Sequence, residues 1–251
     1  LTTEGRRKDP NFTLIADAIH PAGDGQFIMA YSMIEAFEEP GSVWSLLATP
    51  NAGAWKATAS PGSLGNVTGG EMGKSVSLTL LPKCLPWVPV EDAKIGATLT
   101  ASGHRKSNEA LTVVGLQAGR YDVLENGQLV GTWDHIQLGK KVELQSDPES
   151  LTLQQAQRVI ELNKKRNDEA IRPLRNLYGK RKGTLRKGDK VAFDAWWNGA
   201  GKAEEAVLLK KAAEIEDEIY KVNQPVEIKI DVKPAAKRAP AKDQKPAKKA
   251  A

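Results

Sequence analysis

Residues 226–232, Val-Glu-Ile-Lys-Ile-Asp-Val, alternate apolar and charged without a break. Successive side chains of a strand point to opposite faces, so a strict period of two predicts a half-buried β-strand. Only Lys/Ala/Pro-rich sequence follows it. The strand is therefore expected to return to a sheet built earlier in the chain.

That sheet is sought between about 42 and 145. Segments 43–47, 75–80, 97–100 and 110–114 are β-prone, and residues 121–124 and 128–133 flank Glu125-Asn126-Gly127. Asn-Gly between alternating runs is the strongest short hairpin signal. Short strands punctuated by Gly115 and Gly119 predict a small antiparallel, sandwich-like β domain. Residues 151–222 read instead as helical. Thr152 with Gln155 fits a capping box, and Leu153, Ala156, Val159 and Ile160 recur on one face. Pro173 lacks an N–H and is expected to kink or break this helix after Arg172. A basic stretch from Lys180 to Lys187, with Gly183 and Gly188, leads to a second helix from about Glu204 to Lys221, apolar at Val207, Leu208, Ala212, Ile215 and Ile219. Two such helices most simply form an antiparallel hairpin against the β domain. The fold class expected is α+β.

With 251 residues, 40% of them apolar, there is material for one large domain or two small ones. No apolar run approaches the ~20 residues that cross a bilayer, and residues 1–12 lack the apolar stretch of a signal peptide. Cys84 is the single cysteine, which excludes an intrachain disulfide and a multi-cysteine metal site. Its setting, Leu81-Pro82-Lys83-Cys84-Leu85-Pro86-Trp87, reads as packing. Three scattered histidines argue against a metal site, and no cofactor is expected. Net charge is +5, yet residues 233–251 set seven cations against Asp243 alone, a net +6, which leaves the rest of the chain at −1. The basicity belongs to the tail, read as a solvated extension too poor in large apolar groups to fold.

The chemistry-bearing stretch is Asp17-Ala18-Ile19-His20-Pro21. It follows a short β-prone run from Phe12 to Ile15. A helix is expected after it, apolar at Phe27, Ile28, Tyr31, Ile34 and Phe37, with Asp24 as N-cap and Glu39-Pro40-Gly41 as its stop. A histidine acting as general base takes a proton from a nucleophile, and a carboxylate on its other nitrogen holds the tautomer and stabilises the imidazolium. On spacing alone, a surface or capping pair is the simpler account. His104 reads as an exposed turn residue and His135, beside Asp134, as a loop contact. Trp44, Trp87 and Trp133 read as packing, and Trp196-Trp197 as an anchor for the helical hairpin.

Residues 14–30, Leu-Ile-Ala-Asp-Ala-Ile-His-Pro-Ala-Gly-Asp-Gly-Gln-Phe-Ile-Met-Ala, resemble the last block of the SGNH/GDSL hydrolases. In that family Asp-x-x-His-Pro, a glycine-bearing turn and the closing helix of an α/β/α domain follow one another. Residues 85–87, 111–121 and 163–175 are similar to the C-terminal extension of bacterial members, notably those of planctomycetes. The resemblance spans about 12–232. It implies His20 as general base and Asp17 as its acid, in two-step acyl transfer through a serine ester without metal or cofactor. The family's Gly-Asp-Ser nucleophile block and its Gly and Asn oxyanion donors have no counterpart here, and are expected upstream of Leu1. The implied partner is an ester substrate, acylated carbohydrate among the candidates, with export from the cytoplasm also implied. Segments 1–40, 41–148, 149–232 and 233–251 are then the end of the hydrolase domain, an accessory β domain, a helical hairpin with a returning strand, and the tail. The chain alone is expected to be inactive. The rival reading is a non-catalytic module whose β domain contacts a glycan or protein. Nucleic-acid binding through the tail is the weakest alternative, and neither a specific nucleic-acid partner nor an oligomeric state is implied.

Overall fold

The computed structural model describes residues 1–15, 17, 19–38, 41–145 and 147–236. Helices α1 (Thr2–Lys8) and α2 (Gly23–Ala36) lead into strands β1 (Ser42–Asn51), β2 (Ala54–Ala59), β3 (Ser63–Gly69) and β4 (Val76–Leu81). Short helices α3 (Lys94–Thr100) and α4 (Ser102–Lys106) precede β5 (Asn108–Val113), β6 (Arg120–Glu125), β7 (Gln128–Asp134), α5 (His135–Lys140) and β8 (Val142–Glu143). Helices α6 (Leu151–Arg166), α7 (Arg172–Arg186), α8 (Lys190–Trp196) and α9 (Lys202–Val222) follow, and β9 (Ile228–Pro234) closes the chain's regular structure. The fold is α+β, as expected.

The alternating segment does return. β9 lies inside a five-stranded antiparallel sheet of order β3-β4-β9-β6-β7, with Ile230 opposite Leu78 and Val232 opposite Val123. Ile228, Ile230 and Val232 point inward and are at most 1% exposed, each burial contributing roughly 1.5–3 kcal/mol. The Asn-Gly turn assists: Asn126 and Gly127 take positive φ, and Lys229 N–H donates to Asn126 Oδ1 at 2.7 Å. The second sheet has order β2-β1-β5-β8, in which β1 and β5 run parallel and the other pairs antiparallel. The two sheets share one core, built from Trp44, Leu46 and Leu111 on one side and Leu78, Val123 and Ile230 on the other.

Several local expectations are corrected. Residues 97–100 are not a strand but the end of α3. Burial against α2 overrides their β-prone composition. Asp24 does not cap α2, whose N-cap is Ala22; its carboxylate accepts instead from Gly96 N–H at 2.7 Å. Gln155 forms no capping box, and its amide donates to the carbonyls of Val222 and Gln224 at 2.6 Å, tying the start of α6 to the end of α9. Cys84 is exposed, while Pro82 and Pro86 turn inward.

Pro173 does not stop its helix. A π-helical turn at Asn167–Ile171 runs directly from α6 into α7, so helix continues through Pro173. A second π-turn at Trp197–Gly201 joins α8 to α9. The two continuous helices run antiparallel, cross-linked by Arg158–Glu218, Arg166–Glu216 and Lys211–Glu169 pairs. At their far end Trp197 is buried with Leu177 and Phe193, and Arg181 lies over its ring at 4.3 Å. No helix among the described residues is long and apolar enough to cross a membrane. The helix stop at Glu39-Pro40 and the tail from residue 237 lie outside the described residues.

Candidate functional site

A bridge between Ile15 and Pro21 closes the loop that carries Asp17 and His20. Ala22 N–H donates to Leu14 O at 3.0 Å, so the loop folds back on the first turn of α2. A Cβ at Gly25 would stand 2.3 Å from that Leu14 oxygen, so glycine is required for the approach. On the other side, a Cβ at Gly96 would meet Asp24 O at 2.9 Å, so α3 also lies tight against α2.

Within the loop Asp17 Oδ1 accepts from the backbone N–H groups of Ile19 (3.0 Å) and His20 (2.6 Å), leaving Oδ2 for His20 Nδ1 at 2.6 Å. The His20 ring bond, then the two backbone donors, hold the Asp17 carboxyl down at about 2. With Nδ1 on a carboxylate, Nε2 is the free nitrogen, the arrangement a general base needs. The side chains of His20 and Asp17 are 79% and 55% exposed. Among the described residues no hydroxyl is bonded to His20 and no cluster of His, Cys, Asp and Glu could hold a metal ion. The structure thus brings the two expected residues together and supplies neither nucleophile nor oxyanion donors to them.

A second imidazole–carboxylate pair escaped the sequence. His104 Nδ1 meets both oxygens of Glu143, at 2.8 and 3.0 Å. Glu143 also accepts from Gln145 Nε2 at 2.9 Å and pairs with Lys141 Nζ at 3.0 Å. Burial would raise its carboxyl, but these three donors outweigh burial and hold it at about 2. His104 is exposed, as expected, but sits in α4 with a partner that no spacing rule could have named. His135 opens α5, where Asp134 caps the helix rather than pairing with the ring.

No family model and no curated protein matches the chain. A solved structure does. It is that of BT4096, a gut microbial diltiazem-metabolizing enzyme, similar with a TM-score of 0.73 at 24% identity over 93% of this chain. The chain covers 60% of that structure's length. The likeness is one of fold.

Two further carboxylates sit between the sheets and α6. Glu109 of β5 accepts from Trp44 Nε1 at 3.1 Å, and Glu125 of β6 accepts from Leu151 N–H at 2.9 Å, in the first turn of α6. Both are fully buried. Burial, with the neighbouring Glu125 charge adding to it and bonds from Thr152 and Trp44 opposing it, pushes the Glu109 carboxyl up to about 7. Burial raises Glu125 as well, against the Leu151 and Ser150 donors. Of the two, Glu125 caps the start of α6 inside the molecule.

Proposed function

We propose that this chain is the C-terminal part of an SGNH-type serine ester hydrolase, in which His20 is the general base and Asp17 its orienting acid. The observation that carries the reading is the 2.6 Å contact of Asp17 Oδ2 with His20 Nδ1, with Nε2 left without a partner among the described residues. The enzymatic description of the fold neighbour supports it more loosely. The serine and oxyanion donors come from residues outside this sequence. His20 Nε2 accepts the serine proton as the hydroxyl oxygen attacks the ester carbonyl, then returns it to the departing alcohol. Asp17 stabilises the imidazolium between these steps, and water, deprotonated by the same nitrogen, releases the acid. Acylated carbohydrate is the substrate class proposed.

The test is hydrolysis of p-nitrophenyl acetate by a protein extended upstream of Leu1. His20→Ala should lower kcat/KM by about 10²–10⁴-fold, and residues 1–251 alone should show no turnover. Equal hydrolysis by the extended protein with and without His20→Ala would sink the reading.

A further inference from the structure

Between α3–α4, residues 87–89 and the first turns of α6 lies a cleft of about 650 Å³, within the range of small-molecule sites. Trp87, Val88, Pro89 and Leu153 give it apolar walls. Among the described residues its titratable lining is Lys94 and His104, with no Asp or Glu. Lys94 is paired with Glu91 at 2.6 Å and exposed, so His104 is the positioned titratable group.

Its position is built rather than incidental. Both Glu143 oxygens engage Nδ1, and Glu143 is in turn held by Gln145 and Lys141. A carboxylate behind one ring nitrogen fixes the ring's orientation, and in an imidazolium the other nitrogen also carries a proton to donate. Among the described residues Nε2 has no partner. An oriented donor at the rim of an apolar, acid-free cleft suits an anionic head on an apolar body.

We propose that this cleft binds a small organic carboxylate with an aromatic or aliphatic body, its carboxylate meeting His104 and its body lying against Trp87, Val88 and Leu153. The proposal goes beyond the ester-hydrolase reading, since neither Asp17 nor His20 lines the cleft.

Calorimetric titration of the full chain with 3-phenylpropionate and with its neutral amide tests it. The acid should bind and the amide should bind at least about ten-fold more weakly, the loss of one charge-assisted hydrogen bond. His104→Gln should weaken the acid by a similar factor. Ala97→Phe, which fills the cleft from α3 without touching the pair, should abolish binding. Should His104→Gln fail to fold, Ala97→Phe and the acid–amide ratio decide. No acid binding at millimolar concentration, equal binding of the amide, or binding that survives Ala97→Phe overturns the proposal.

Discussion

Asp17 reaches His20 within one turn of chain, and both side chains are mostly exposed. Glu143 reaches His104 across 39 residues, from the short edge strand β8 to helix α4, and its side chain is 25% exposed. Both carboxyls end near 2, by different routes. Asp17 gets there through hydrogen bonds close in sequence, whereas Glu143 must first overcome burial, and does so through Lys141 and Gln145 two residues to either side together with His104 from 39 residues away. The first pair needs little more than its loop. The second exists only once β8 has paired with β5 and brought Glu143 beneath α4. A pair that the chain can form locally is free to face a partner from elsewhere. A pair that the fold assembles is coupled to stability.

Glu109 sharpens that contrast, being a carboxylate the fold has buried with no cation paired to it among the described residues. Its carboxyl is pushed up from 4.5 to about 7, so between those values the native state holds a proton the unfolded chain has released. Stability therefore falls as pH rises from about 4.5 to about 7 and levels off above, by roughly 3 kcal/mol for this group. Glu109→Gln keeps an acceptor for Trp44 and removes the titration. The variant should gain stability over the wild type at pH 8 and show little gain at pH 4.5, read from urea midpoints. An equal gain at both pH values would mean that Glu109 does not titrate in this window.

The same division explains what could be read from residues alone. The strict alternation at β9, the Asn-Gly turn and the helical periodicity of α6 and α9 are signals within ten or twenty residues, and each element formed, although Val207, expected on the inner face of α9, is exposed. Asp17 and His20 were legible for the same reason, three residues apart. Glu143 carries no such mark. It follows Lys140, Lys141 and Val142 on a two-residue strand, and its partner is fixed by sheet order. Strands β2 and β3 were missed because Trp55 is the only large apolar residue of β2 and because Gly65 and Asn66 interrupt the alternation of β3. Residues 97–100 misled because tight packing on α2, possible only with Gly96 at the contact, outweighs their β-prone composition. Pro173 misled because the π-turn before it carries the helix through.

Glu143→Gln breaks the assembled pair directly. At neutral pH it removes the charge that His104, Gln145 and Lys141 share, and should cost about 1–2 kcal/mol. The sign with pH is opposite to that of Glu109. A carboxyl held at about 2 stabilises the fold above its ordinary value of 4.5, and that contribution fades as pH falls from 4.5 towards 2. Wild type and variant should therefore converge in acid, measured by thermal melts at pH 7 and pH 2. A difference that persists undiminished at pH 2 would assign the loss to packing rather than to charge.

The smallest effect on stability is expected where the proposed chemistry is concentrated. Asp17→Asn leaves an oxygen to accept from the N–H groups of Ile19 and His20, and the exposed carboxylate–imidazole contact it removes is screened by solvent. The melting temperature should not move measurably. Yet an amide presented to Nδ1 can donate where the carboxylate accepted, which favours the wrong tautomer and withdraws the charge that stabilises the imidazolium. In the upstream-extended protein, ester hydrolysis should fall by about 10²–10⁴-fold with the fold intact. If instead the melting temperature drops in step with activity, the pair is a staple for its loop, and the line drawn between a locally formed reactive pair and a fold-built structural one does not hold.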